Sequence, residues 1–145
     1  MSRPSPRAAS PLRLPRGQRH DHRGAAVLEF AVCLPLLMLL VFGVIEATGF
    51  IFLKQTLNVA AYEAAREAVQ HRGTNELAFQ RATAILTSRN IHGAEVLIQP
   101  ANFESINRGD SVMVQVAAPT GPNSTLAGQF LNNRGLTVQV IMVKE

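Results

Sequence analysis

A single carboxylate interrupts the most apolar stretch of this 145-residue sequence, five residues after a glycine. Gly24 closes a basic tail, Glu29 follows it, and the uncharged run Phe30–Ile45 begins at once. A charged side chain in hydrocarbon costs a few kcal/mol even on the most lenient insertion scale, so it is by default a functional residue with a partner. We therefore expect a cation from elsewhere to bind the Glu29 carboxylate.

The segment from Ala25 to Ile45 is long enough to cross a membrane as a helix. It has 21 residues, and Glu29 is its only charge. At about 1.5 Å per residue the helix would be roughly 31 Å long, close to the roughly 30 Å hydrocarbon core of a bilayer. A secretory signal peptide would have a shorter apolar run closed by small residues at a cleavage site. A membrane helix is therefore the favoured interpretation.

Charge is distributed unevenly along the chain. Residues 1–24 contain six arginines against one aspartate, a net charge of +5, whereas residues 25–145 contain eight Lys/Arg against nine Asp/Glu. The basic tail predicts a cytoplasmic N-terminus and a domain on the other side of the membrane. Because the rest of the chain is close to neutral, we do not expect it to bind nucleic acid.

The sequence gives little indication of a metal site, a cofactor site or a catalytic site. His20, Asp21 and His22 lie in a proline- and arginine-rich tail without a third metal-ligating histidine or cysteine nearby, and no metal or cofactor is predicted. The only cysteine, Cys33, lies inside the apolar run, and beyond the tail only His71 and His92 could serve as imidazole bases. No G-x-S-x-G or metal-ligand spacing occurs, so we predict that the protein is not an enzyme.

The pattern after Ile45 predicts an α+β fold. Helical periodicity continues to about Arg72, and small or apolar residues recur at spacings of three, four or seven: Ile45, Phe52, Thr56, Ala60, Ala64 and Ala68. Glu63 and Arg66 are neighbours at a spacing of three on this helix. A second helix follows, with Thr74 or Asn75 as its cap and an apolar face of Ala78, Phe79, Ala82, Ile85 and Leu86.

Three β-branched, largely alternating segments follow the helices. They are Ala94–Gln99, Ser111–Ala117 and Leu136–Val143, and they predict a small antiparallel sheet. Asn107–Asp110 and Asn132–Gly135 are predicted turns, and the loop between the last two strands is predicted to contain one short helical turn at Leu126–Leu131. The prediction is a membrane-spanning helix that continues into an amphipathic one, packed with a second helix on three strands.

The residues around Gly24 resemble the cleavage pattern of prepilin peptidases. The pattern is a glycine, five residues ending in glutamate, and an apolar run, here Gly24 and then Ala25 to Glu29. Glycine suits a protease that draws extended backbone into a tight site. The resemblance implies cleavage between Gly24 and Ala25, which exposes the α-amino group of Ala25 as a cation for Glu29 of a neighbouring subunit. The alternative is an uncleaved anchor in which Glu29 lies in the headgroup region.

The same stretch resembles the TadE-like family, the minor pseudopilins of tight-adherence (Tad/Flp, type IVc) pili. The residues that fit the family outline are Gly24, Glu29, Phe30, Pro35, Phe42, Gly43, Glu46, Ala65 and Arg66. The resemblance is close over about 50 residues and looser over the last two strands. It implies a cleaved leader at residues 1–24, a transmembrane and assembly helix at 25–45 and an extracytoplasmic domain at 46–145.

The resemblance also implies function and partners. The expected function is that of a minor pseudopilin in the inner membrane, processed by a prepilin peptidase and needed for pilus assembly and surface adherence. The expected partners are the peptidase, other pilins and pseudopilins, an inner-membrane assembly platform and membrane lipid. The alternative is an uncleaved single-pass anchor that presents a binding or sensor domain in the envelope.

Two residues of the motif are expected to act in assembly, and a third has two interpretations. Glu29 and Phe30 are predicted to set the register between subunits. Glu46, at the outer end of the span, either marks the solvated bilayer surface, which is the favoured interpretation, or contacts another subunit.

Overall fold

The computed structural model describes residues 22–101, 106–124 and 134–144, with side chains from Gly24 onward. Its elements are α1 (His22–Val69), α2 (Asn75–Ser88), β1 (Glu95–Gln99), β2 (Ser111–Pro119) and β3 (Gly135–Val143). The predicted α+β class is confirmed. The chain divides into two compact units, residues 1–36 and 37–145. In the first unit the described residues form the start of α1, and the second contains the core.

Helix α1 is longer at its start and shorter at its end than the sequence predicts. It begins at His22 instead of Ala25, ends at Val69 instead of Arg72, and continues through Pro35. The chain leaves the helix in a turn in which the Gly73 amide donates to the Gln70 carbonyl, at 2.9 Å. A Cβ on Gly73 would lie 2.2 Å from the Glu67 carbonyl oxygen, so close backbone approach requires glycine after the helix.

The buried face of α1 is mostly alanine, as predicted, but two large residues are placed wrongly by the sequence pattern. Ile45 and Phe52 are about half exposed, whereas Leu53 and Leu57 are buried. Both leucines precede alanines of the buried face by seven residues, so they lie on that face, whereas Ile45 and Phe52 fall on another side. The buried alanines of α1 are Ala60, Ala61, Ala64, Ala65 and Ala68.

Helix α2 begins at the predicted cap and packs through the predicted face. The Thr74 hydroxyl accepts a hydrogen bond from the Leu77 amide at 3.2 Å, which identifies Thr74 rather than Asn75 as the N-cap. Ala78, Ala82 and Leu86 are buried. Arg81 forms an ion pair with Glu63 of α1 at 3.2 Å. Glu63 therefore binds the second helix, and not Arg66 on its own helix.

The sheet is antiparallel with strand order β1-β2-β3, which confirms the three predicted strands. Val114 in the central strand pairs with Ile98 on one side and Val140 on the other. The inward residues of β2 join the alanine faces of both helices in one core: Val112, Val114, Val116 and Ala118. The hydrophobic pattern of β2 alternates because successive side chains point to opposite faces.

The connections between strands are partly described. The predicted turn Asn107–Asp110 is present, with the Asp110 amide donating to the Asn107 carbonyl at 3.1 Å. A short 3-10 turn at Gly121–Asn123, which the sequence did not predict, follows β2. The predicted helical turn at Leu126–Leu131, Asn132 and Asn133 of the last predicted turn, and the tail before His22 lie outside the described residues.

Candidate functional site

The predicted cleavage position lies in the first turns of α1. Gly24 and Ala25 are both helical and exposed. Among the described residues, a Cβ built on Gly24 meets no atom within 4 Å, apart from its chain neighbours and the helix's own backbone. Glycine inside a helix is less favourable than alanine by roughly 1 kcal/mol, so packing against the described residues gives no reason for glycine here. A requirement for glycine would have to come from another molecule.

Glu29 and Phe30 are exposed on the same helix. Phe30 is 61% exposed, and the apolar side chains that follow are also exposed. Ala25 and Glu29 are four residues apart, which places them on one helix face with a rise of about 6 Å between them. Among the described residues Glu29 has no ion pair. The site therefore presents an exposed carboxylate that a cation from another molecule can reach.

The helix that carries these residues is apolar enough to cross a membrane. One helix among the described residues meets that requirement by length and composition, over Gly24–Val69, and none of its most apolar window is buried inside the chain. Cys33 is exposed as a free thiol within this segment. Apolar side chains that are exposed along a whole segment are what a lipid environment or a neighbouring helix would cover.

Glu46 differs from the sequence-based expectation. It is 7% exposed and accepts a hydrogen bond from the Ser124 hydroxyl, which lies beyond the 3-10 turn. The predicted solvation of Glu46 by water is therefore wrong, whereas its position at the bilayer surface stays a prediction. The reason is tertiary: a residue 78 positions further along the chain packs on it. The predicted contact between Glu46 and another subunit stays a prediction.

Metal ligands are not gathered in the part of the chain that the structure describes. No group of three or more His, Cys, Asp or Glu side chains occurs there that could hold an ion. Of the histidine pair in the tail, His20 lies outside that part.

Comparison with protein families gives a match to the first part of the chain. The model of the TadE-like protein family matches residues 24–66, from the predicted cleavage glycine to Arg66. Residues 24–66 are similar to the TadE-like family, and we call them the TadE-like segment. This confirms the resemblance read from the sequence. Comparison with curated proteins and with solved structures gives no match.

The TadE-like segment lies wholly within α1, whereas α2 and the sheet follow it. The match makes this segment similar to the TadE-like family of Tad pilus proteins. The looser resemblance predicted for the last two strands falls outside the match and stays a prediction. The contact between Glu46 and Ser124 joins the TadE-like segment to a residue beyond it. No sequence signal marked Ser124, since a serine in a proline- and glycine-rich loop is unremarkable.

Proposed function

We propose that this chain is a minor pseudopilin of a tight-adherence pilus. A prepilin peptidase removes residues 1–24, residues 25–45 span the inner membrane, and residues 46–145 lie outside the cytoplasm. The observation that carries the proposal is the TadE-like match, which begins at Gly24 and lies within the apolar helix α1. The six arginines before Ala25 support a cytoplasmic leader.

Cleavage in this proposal is hydrolysis of the amide bond between Gly24 and Ala25. The first four N–H groups of a helix lack intrahelical partners, so the first turn opens more readily than the interior. Gly24 is the third residue of α1 and is exposed. A peptidase can therefore take this peptide bond in an extended form at modest cost. The products are a basic leader peptide and a chain that begins with the Ala25 ammonium.

The new ammonium is the proposed partner of Glu29 in a neighbouring subunit. Within a bundle of helices both groups would be removed from water, and breaking such a buried pair costs on the order of 3–5 kcal/mol. Neither group can slide along the neighbouring helix without losing the other, so the pair would fix the axial register. Phe30, exposed beside Glu29, would pack in the same contact.

The part of α1 beyond the span also presents a surface for packing. Ile51, Phe52, Val59 and Tyr62 are between 39% and 58% exposed, although they belong to the unit that contains the core. Exposed apolar side chains in succession on one helix are suited to contact with another protein. In this proposal the partners are other pilins and pseudopilins and the inner-membrane assembly platform, with lipid around the span, and surface adherence follows from assembly of the pilus.

The experiment that tests the proposal is a mass measurement on chain recovered from membranes of cells with and without the prepilin peptidase. The expected result is a mature protein that begins at Ala25 only when the peptidase is present, and co-purification of pilins with that form. Intact residues 1–24 in cells that make functional pili would instead support the alternative, an uncleaved anchor that presents an envelope binding or sensor domain.

A further inference from the structure

A cavity of about 740 Å³ lies at the C-terminal end of α1, where three parts of the domain meet. The end of α1 and the turn after it, the turn between β1 and β2, and the end of β3 all contribute. Its lining combines cationic and apolar side chains: Arg66, Val69, Gln70, His71, Arg108, Met142 and Val143. These residues belong to the unit that starts at Leu37, at the end of α1 furthest from the predicted membrane span.

The two arginines of this cavity have no acidic partner among the residues that the structure describes. Among the described residues, the ion pair that is present joins Glu63 to Arg81, outside the cavity. The Lys144 ammonium donates to the Ile106 carbonyl and not to a carboxylate. The negative end of the α1 dipole favours Arg66 in the last helical turn. The helix dipole does not explain why Arg108, in the turn between β1 and β2, lines the same cavity. Both arginines are exposed, and two guanidinium groups that line one cavity give it a positive potential, which favours a bound anion.

The apolar part of the lining indicates which class of anion the cavity would bind. Val69, Met142 and Val143 offer a surface that a sugar acid or a phosphate chain does not use. Among the described residues that line the cavity none is Phe, Tyr or Trp, whereas proteins that bind single-stranded nucleic acids stack bases on such rings. A peptide that carries carboxylates beside an aliphatic side chain matches both the cationic and the apolar parts. Arginine is also enriched at the centres of protein interfaces.

We propose that this cavity is a docking site for an acidic peptide segment of a partner protein. Carboxylates of the segment bind the guanidinium groups of Arg66 and Arg108, and an aliphatic side chain of the segment packs on Val69, Met142 and Val143. The site lies outside the processing and register residues, so it does not depend on cleavage of the leader or on pilus assembly.

The test uses the full chain in detergent micelles and a fluorescent peptide of alternating leucine and glutamate. Arg66→Gln and Arg108→Gln are each expected to weaken binding several-fold, and the double variant by roughly tenfold or more, because bonds between guanidinium and carboxylate are stronger than neutral ones. Lys54→Gln removes the same charge from an exposed position of α1 outside the cavity. It is expected to change binding less than twofold.

Val143→Thr separates peptide docking from binding of any polyanion. Threonine keeps the shape but adds a hydroxyl, so peptide binding is expected to fall several-fold while binding of an oligouronate or polyphosphate probe stays unchanged. The proposal is overturned if Lys54→Gln weakens peptide binding as much as the arginine variants do. It is also overturned if the oligouronate or polyphosphate binds as tightly as the peptide and Val143→Thr affects neither.

Discussion

Ser124 donates a hydrogen bond to the Glu46 carboxylate, and this contact links the segment that follows β2, residues 120–124, to helix α1. Glu46 is 7% exposed, and a buried carboxylate is tolerated only when hydrogen bonds replace its water. Thr120, in the same segment, is also buried. The role of a residue inside the TadE-like segment therefore depends on a residue outside it.

Loss of this contact is expected to destabilise the domain. Ser124→Ala should lower the free energy of unfolding by about 1–2 kcal/mol, and Glu46→Gln by about 1 kcal/mol, because the glutamine carbonyl can still accept the bond. Ser88→Ala removes an exposed serine hydroxyl that donates to the Ile85 carbonyl, and should cost under about 0.5 kcal/mol. Denaturant unfolding of the full chain in micelles gives these values. Strictly additive effects in the Ser124→Ala, Glu46→Gln double variant would show that the two residues are not coupled.

Gly24→Val is expected to leave the leader attached without disturbing the fold. Among the described residues, a Cβ at Gly24 or at Gly43 meets no atom within 4 Å beyond its chain neighbours and the helix's own backbone, so other elements do not exclude a side chain at either position. The peptidase, by contrast, would meet a side chain next to the bond it cuts. Mass spectrometry of membrane fractions should find the leader on Gly24→Val and a mature chain for Gly43→Val. Normal processing of Gly24→Val would show that the peptidase does not require glycine before the bond that it cuts.

Glu29→Gln is expected to be processed but to fail in pilus assembly. The side chain is exposed in the chain itself, and glutamine keeps its size, so the unfolding free energy should not change. What is lost is the charge that would pair with the Ala25 ammonium. Pilus yield and protein mass, measured in one strain beside Glu46→Gln, separate the two effects. We expect Glu46→Gln to act through domain stability, so assembly that fails only for Glu46→Gln would contradict the register pairing.

Gly73→Ala is expected to destabilise the end of α1 by about 2–3 kcal/mol. Its Cβ would lie 2.2 Å from the Glu67 carbonyl oxygen and 2.6 Å from that of Ala68, and both atoms belong to backbone that must shift. At Gly135, at the start of β3, a Cβ meets no described residue within 4 Å, so Gly135→Ala serves as the control. Thermal unfolding of both variants checks the difference, and equal melting temperatures would show that the turn relaxes freely.

The orientation of the chain is tested by a reporter fused after Glu145. The excess of arginine before Ala25 predicts that the domain lies outside the cytoplasm. A reporter that is active only outside the cytoplasm should therefore be active, and replacing the six arginines with glutamine should reduce that activity. A fusion active only in the cytoplasm would contradict the predicted orientation.

Local pattern was enough to predict most of the elements. The apolar run, the alanine-rich helix, a cap at Thr74 or Asn75 and three alternating strands depend on residue type and on spacings of 3.6 or 2, which neighbours along the chain set by themselves. The start at Gly24 and the glutamate five residues later were likewise visible as a motif, and the family match begins at that glycine.

Contacts between distant residues were decided by the tertiary structure. A helical stripe drawn through Ile45 and Phe52 left out Leu53 and Leu57, because which side of a long helix is buried depends on what packs against it. Glu63 had a sequence neighbour in Arg66 and an actual partner in Arg81. The sequence predicted Glu46 to be a solvated surface charge, but in the structure it is buried and accepts a hydrogen bond from Ser124. Sequence spacing fixes which residues share a face, but burial and pairing depend on segments that meet only when the chain folds.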